Sequence, residues 1–287
     1  MVLITSPSNP RVSKLQALHT TRGRKKSGFF FMEGPHLLEA LLDAGLQPYE
    51  VYYQPELLER TPKGKTLLAR LLHMSDLLPG RLIEVSTRVM EAVSDVQTSQ
   101  GLVCVLPLEI CKPDQVRARR VAKQRPTLLI LDDLADPGNM GTILRTALAA
   151  DVDMVLLTEG CVDYYSPKVV RSAAGAHVAL PVETDVSWAT IAERVALHCG
   201  GRVLLADADG ECMYYEQDLT SPFALVIGNE AHGPSSEAHK LAALTISIPL
   251  ANSVESLNAA MATGIILYEA VRQIHMQSSL LLEKRDS

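Results

Sequence analysis

The stretch "LDDLADPGNMGTILRTALAADVDMVLL", residues 131–157, closes one apolar run, breaks at "DPGN", and continues as a helical pattern into a second apolar run. Met140, Ile143, Leu144, Ala147 and Leu148 recur at helical spacing and define one apolar face over residues 140–150, while Thr142, Arg145 and Ala149 fall on another side. Asn139 stands where a helix N-cap belongs. Strand, turn, helix and strand in this order are the unit of an α/β fold. Arg145 then sits at the top of the helix that follows a strand's carboxyl end, the region where open α/β sheets hold ligands. By position alone it also reads as an Arg reaching solvent beside a capping Asn.

Downstream, near-continuous apolar runs alternate with helical ones: "MVLLTE", "VALPVE", "RVLLADA", "FALVIGNE" and "TISIPL" as strands, "SWATIAERVALHCG" and "SSEAHKLAAL" as helices, and a long final helix from about 256. "SPKVVRSAAGA" reads as loop and helix. Strands apolar throughout imply a mostly parallel sheet covered on both faces. Upstream, "FFFMEG", "YEVYYQ", "RLIEVS" and "GLVCVLP" read as strands between helices, with one helix over roughly 63–78, so a smaller α/β unit comes first. Residues 108–125 lack an apolar period and read as a linker. The expected organisation is a front domain over 1–107, a linker over 108–125 and a second domain over 126–287.

Two further stretches carry candidate chemistry. In "LVIGNEAHGPSSE" (225–237), Gly228 ends a strand and Gly233 lies just before Pro234 and the next helix. Glycines at both ends of a loop allow close backbone approach to a ligand. The spacing matches neither a dinucleotide fingerprint nor a phosphate-binding P-loop. Glu230 inside the loop either meets a ligand or holds the loop's own amides. In "ISIPLANSVESLNAAMATGIILYEA" (246–270), a strand stops at Pro249, Ser256 starts the last helix and Asn258 falls in its first turn. Ser256 also reads as a plain N-cap. Ala259, Ala260, Ala262 and Gly264 make this helix thin enough for close packing of another backbone.

The chain has 287 residues and a net charge of -6, which by itself argues against nucleic acid. The distribution argues the other way. Residues 1–32 hold Arg11, Lys14, Arg22, Arg24, Lys25 and Lys26 with no acid; residues 113–125 hold Arg117, Arg119, Arg120, Lys123 and Arg125 against Asp114; residues 126–287 net -12. A basic front on an acidic body fits phosphate contacts made by one part only. Arg22, Arg24, Lys25 and Lys26 read as a basic RNA-binding loop, "RGRKKSG", and Phe29–Phe31 as core strand more than as a base-stacking platform. Five scattered cysteines form no CxxC pair, so neither a disulfide framework nor a metal site is expected. No apolar run is long enough for a membrane span, and the N-terminus lacks a secretory pattern. A reduced, cytoplasmic protein is expected. His177 and His232 read as structural or exposed, Trp188 as packing, and Arg171 as near a subunit interface or RNA.

"NMGTILRTA", "IGNEAHG" and "IPLANSVESLNAAMATGIILYEA", in that order and at those separations, resemble the three motifs of the SpoU/TrmH branch of the SPOUT methyltransferases, and "SPKVVRSAAGAHVALPV" resembles the stretch between the first two. The likeness covers about 126–275. The front unit resembles, more weakly, a ribosomal-protein-like RNA-binding domain. The resemblance implies a trefoil knot in the C-terminal sheet, a homodimer, and S-adenosylmethionine (AdoMet)-dependent methylation of a ribose 2'-hydroxyl in structured RNA, ribosomal RNA first. A transfer-RNA enzyme, or an RNA-binding protein that retains the knotted fold without catalysis, are the alternatives. On matching motif positions it implies Arg145, Asn139, Glu230, Ser256 and Asn258 at the catalytic centre. The cofactor would be held by backbone around Gly228, Gly233, Ile248, Leu257 and Ala206, and RNA by Arg11, Arg22, Arg24, Lys25 and Lys26.

Overall fold

The computed structural model describes the whole chain apart from residues 1, 75, 77, 122–125 and 284–287, with backbone alone for 280–283. Lys123 and Arg125 of the basic segment lie outside the described residues. The chain forms two units: Met1–Gln115 with Tyr165–Ala179, and Val116–Tyr164 with Leu180–Ser287.

In the first unit the order is β1 (Val2–Ile4), α1 (Pro10–Ala17), α2 (Thr21–Ser27), β2 (Phe29–Glu33), α3 (Pro35–Asp43), β3 (Glu50–Tyr53), α4 (Pro55–Leu58), α5 (Pro62–His73), β4 (Leu82–Val85), α6 (Thr87–Val93) and β5 (Leu102–Pro107). The sheet order is β1-β4-β3-β5-β2, with β5 antiparallel to both neighbours. Strand alternation divides the core in two. Phe30, Met32, Val51 and Tyr53 pack with α3 and α5, while Phe31, Tyr52, Ile83 and Val105 pack with α1 and α6. The "RGRKKS" segment is helical, not a loop. Thr20 Oγ1 accepts from the Gly23 amide at 3.1 Å and caps α2, a local signal that outweighs the charge run. Arg24 is only 3% exposed, and its Nη1 donates to the Leu18 carbonyl at 2.6 Å. It holds the preceding turn, in correction of the expectation that all four bases are displayed. The expected linker also carries structure: a 3-10 turn at Leu108–Cys111 and α7 (Pro113–Arg117) bury Cys111 and Val116.

Tyr165–Ala179, far along the chain, completes this unit. The Tyr165 ring lies 5.1 Å from Phe30, fully buried His177 lies 6.1 Å from it, and Val170 and Val178 join the α3–α5 core. Arg171 pairs with Asp95. Gly175 adopts φ +97°, and a Cβ there would come within 2.9 Å of Ala40 Cβ on α3, so a side chain is excluded both by conformation and by space.

The second unit runs β6 (Thr127–Leu131), α8 (Pro137–Ala149), β7 (Met154–Thr158), then, beyond α9 (Pro167–Ser172) and α10 (Ala176–Ala179) of the first unit, β8 (Val182–Val186), α11 (Trp188–Cys199), β9 (Val203–Ala206), β10 (Cys212–Met213), β11 (Phe223–Ile227), α12 (Ser236–Leu241), β12 (Leu244–Ser247) and α13 (Ala259–Glu283). Seven strands pair in parallel in the order β10-β12-β9-β11-β6-β7-β8. One face packs Leu128, Ile130, Leu205 and Val226 beneath α11 and α12. On the other, α8 packs along α13. The strand order reverses at β6, and the carboxyl ends of β9, β11 and β12 open toward the loops described next. The short β10 was not legible in the sequence. No helix among the described residues is long and apolar enough to cross a membrane.

Packing of Tyr165 on Phe30 makes the 165–179 stretch part of the first unit's cooperative core. A double-mutant cycle of Phe30→Leu and Tyr165→Leu, read from denaturant unfolding, is expected to show a coupling of about 0.5–1.5 kcal/mol.

Candidate functional site

Helix α8 begins at Pro137, not at residue 140, and its cap is Asp136, whose Oδ1 accepts from the Asn139 amide at 2.7 Å. This corrects the placement of Asn139 as N-cap. With Pro already at the first helical position, Asn139 falls in the first turn and its side chain is released for another use. The last helix likewise begins at Ala259 rather than Ser256. Asn258 Oδ1 accepts from the amides of Ala260 at 2.9 Å and Met261 at 3.3 Å, so Asn258 is the cap and Ser256 lies in the exposed approach. A Cβ added at Gly264 would sit 3.8 Å from Thr146 Cγ2, an ordinary contact, so close helix packing within the chain does not require that glycine.

Three of the residues singled out in the sequence meet in one hydrogen-bonded chain. Asn139 Nδ2 donates to Glu230 Oε1 at 2.8 Å, and Asn139 Oδ1 accepts from Asn258 Nδ2 at 2.8 Å. A carboxylate only accepts, so Asn139 must turn its amino group toward Glu230, and the orientation of Asn258 follows. Glu230 also accepts from the amides of Ala135 and Asp136, each at 3.2 Å. Burial pushes the Glu230 carboxyl up. The bonds from Asn139 and from the amides of Glu230 itself, Ala135 and Asp136 outweigh burial and hold it below its ordinary value of 4.5. The group is ionised at neutral pH with its lone pairs engaged by protein. It positions the first turn of α8, where a negative charge is also favoured by the helix dipole.

Asn229, which the sequence reading passed over, makes a parallel tie. Its Nδ2 donates to the Asp133 carbonyl at 2.7 Å, and its Oδ1 accepts from the amides of Ala231 at 2.8 Å and His232 at 3.1 Å. Buried Asp132 accepts from the Ser235 amide at 2.7 Å. The acidic pair at the end of β6, inside the apolar "LLILDDL", was the available signal.

A cavity of about 360 Å³ opens at the carboxyl ends of β9, β11 and β12, a size suited to a small-molecule ligand. Ala206, Gly228, Gly233, Ile248 and Leu257 all line it, together with Glu230 and Ser256. Asn139, Arg145 and Asn258 do not. At Gly228 a Cβ would stand 2.4 Å from the Pro234 nitrogen, so the two ends of the 228–234 loop touch backbone to backbone. The charged residues lining the cavity are Asp207, Glu230 and Glu255, with no Lys or Arg. Such a wall disfavours a phosphorylated nucleotide and suits a ligand carrying positive charge. Arg145 is exposed on α8, and among the described residues no hydrogen bond or ion pair holds its guanidinium.

Because the native Glu230 carboxyl titrates below its unfolded counterpart, it stabilises the fold above the unfolded value, and that stabilisation is lost as pH falls through the native one. The gap in melting temperature between the wild type and Glu230→Gln is expected to be largest near neutral pH, to shrink below about pH 4.5, and to vanish in stronger acid. A gap independent of pH would contradict this account of the carboxylate.

Residues 126–268 match the SpoU rRNA methylase family and residues 9–104 an MRM3-like substrate-binding domain. An uncharacterized tRNA/rRNA methyltransferase of Synechocystis is 35% identical over 94% of this chain and 93% of its own. The 23S rRNA (guanosine(2553)-2'-O)-methyltransferase RlmP of Bacillus subtilis is 32% identical over 93% of this chain and 98% of its own. The crystal structure of an AdoMet-bound rRNA methyltransferase from Sinorhizobium meliloti superposes with a TM-score of 0.77 at 28% identity, covering 95% of this chain and 98% of that one. With its sheet, its hydrogen-bonded loops and these likenesses along nearly its full length, the chain belongs to the SpoU rRNA methylase family.

Proposed function

We propose that this protein transfers the methyl group of AdoMet to a ribose 2'-hydroxyl of ribosomal RNA. The observation that carries the reading is the cavity walled by Asp207, Glu230 and Glu255 beside the Glu230–Asn139–Asn258 chain. AdoMet has no phosphate and carries a sulfonium, and the residues present fit it: acidic side chains, the tight Gly228 turn, and apolar Ile227, Ile248 and Leu257. When bound, AdoMet supplies an electrophilic methyl group.

The remaining work falls to the chain's own residues. The displacement needs alignment of the hydroxyl and modest proton removal. Ser256 and Asn258 flank the cavity mouth and orient the ribose, and Asn139 locks Asn258 in the required sense. A guanidinium stays protonated in proteins, so Arg145 does not act as base. It grips the neighbouring phosphate and stabilises the developing alkoxide, while the proton leaves to water or a phosphate oxygen. Half-buried Arg11 and exposed Arg22, Lys25 and Lys26 contact RNA phosphates.

The reading includes a homodimer and a trefoil knot. Leu250, Val254, Leu257, Met261, Tyr268 and Met276 are exposed apolar residues along the cavity loop and α13, a stripe that a second copy would cover. A knot would require the chain after β12 to thread through a loop before α13, which packs against α8. The reading also places the enzyme in the cytoplasm, where thiols are kept reduced.

Arg145→Ala is expected to lower the rate of methyl transfer to unmodified ribosomal RNA by about 100-fold or more, with AdoMet affinity by calorimetry unchanged. Full activity in this variant overturns the role of Arg145, and absence of AdoMet binding in the wild type favours a non-catalytic RNA-binding protein. Gly228→Ala should abolish AdoMet binding, because its Cβ collides with the Pro234 backbone. Tyr268→Glu should shift the mass in analytical ultracentrifugation from dimer toward monomer.

A further inference from the structure

One end of the five-stranded sheet gathers aromatic and cationic side chains at the margin of the core, with Phe29 packed against it and Tyr49 exposed. Phe29 opens β2 and pairs with Pro107 at the end of β5. Tyr49 directly precedes β3 and donates its amide to the Val105 carbonyl at 2.9 Å. Arg81 directly precedes β4, and its carbonyl accepts from the Val51 amide at 2.8 Å. Because β2, β3 and β4 start where the antiparallel β5 ends, these three residues share one end of the sheet. The Phe29 and Tyr49 rings lie 4.6 Å apart, and the Arg81 guanidinium carbon is 5.9 Å from the centre of the Tyr49 ring. Tyr49 is still 44% exposed after both contacts.

Cations surround the cluster. Lys25 and Lys26 occupy the last turn of α2, which ends at Gly28 immediately before Phe29, and both are exposed. Arg11 Nη1 donates to the Gly80 carbonyl at 3.2 Å, beside Arg81. Lys25, Lys26 and the Arg81 guanidinium have no ion-pair partner among the described residues. The acids at this end are already engaged: Glu50 accepts from the Tyr52 hydroxyl at 2.7 Å, and Glu109 pairs with Lys112 at 2.6 Å.

A half-exposed aromatic ring with a guanidinium over it, flanked by free ammonium groups, matches a nucleobase and its two phosphates. Every base presents a π-face, so such a surface binds without demanding a particular sequence. A duplex hides those faces, whereas loops and bulges splay them out. We propose that Phe29, Tyr49 and Arg81 form a stacking site for an unpaired base of the RNA substrate, with Lys25, Lys26 and Arg11 on the adjoining phosphates. The site deepens the methyl-transfer reading, on which it rests, by naming single-stranded or bulged RNA as what the first unit recognises.

The test uses the full-length protein and a short fluorescein-labelled oligoadenylate, followed by anisotropy, with a blunt RNA duplex of equal length as comparator. Tyr49→Ala should weaken oligoadenylate binding by about 5-fold or more, while Tyr49→Phe keeps wild-type affinity and duplex binding is unchanged. The slope of log affinity against log salt should be unaltered in Tyr49→Ala and reduced by about one in Lys25→Gln. A merely structural Tyr49 would not separate single strand from duplex in this way. Wild-type affinity for oligoadenylate in both Tyr49→Ala and Arg81→Gln overturns the proposal, as does failure of the wild type to bind oligoadenylate while AdoMet still binds by calorimetry. Tyr49-dependent binding in a protein that transfers no methyl group to ribosomal RNA sustains the stacking site and removes the enzymatic reading.

Discussion

The side chain of Asn139 is the point on which the site depends. It has one acceptor and one amino group, and both are committed: the amino group to the Glu230 carboxylate, the oxygen to Asn258. Residues 91 and 119 positions away along the chain are thereby fixed to the first turn of one helix. The order of donors and acceptors is not interchangeable, because it starts at a group that can only accept and ends at backbone amides that can only donate. All three side chains are partly or fully exposed, so loss of one member returns its neighbours' polar groups to water, and the chain fixes geometry more than it adds stability.

This arrangement explains why the loops around the cavity need so little regular structure. The 228–234 loop is closed by backbone contact at Gly228, by the Asn229 side chain, and by Glu230 on the amides of Ala135 and Asp136. The two side-chain ties land on the same short segment after β6. The parallel sheet beneath supplies rigidity through strands buried on both faces, and the ties convert that rigidity into a defined cavity mouth. Acidic residues concentrate in the wall while Arg145 stands exposed on α8. Negative and positive charge are therefore kept on different surfaces.

The first unit divides its labour in a similar way. Its two cores take up Phe30 and Phe31 on opposite faces of β2, while Phe29, at the start of the strand, packs half-buried against the second core and against Tyr49. One "FFF" triplet thus serves both cores and the sheet end. Arg24, by contrast, is drawn into the fold by the Leu18 carbonyl, so a run of four bases displays three.

Local patterns in the sequence were sufficient for the α/β class, the parallel second sheet, and the two stretches, 225–237 and 246–270, whose residues line the cavity. Periodicities of two and of 3.6 report which face of an element is buried, and glycine or asparagine after an apolar run reports where a strand ends. The sequence could not say what each buried face meets. The stretch holding Val169, Val170 and Ala176 reads as loop and helix of the second domain, yet it packs with the first unit, because apolar spacing carries no address. Helix starts moved for a related reason: Asp136 and Asn258 compete with Asn139 and Ser256 for the cap, and the winner depends on which side chains distant residues have already claimed. By local pattern Asn139 is a candidate cap; in the structure Asp136 caps the helix and the Asn139 side chain bridges Glu230 and Asn258. Only the tertiary structure decides that, since a hydrogen bond between residues so far apart in sequence exists only once the chain has folded.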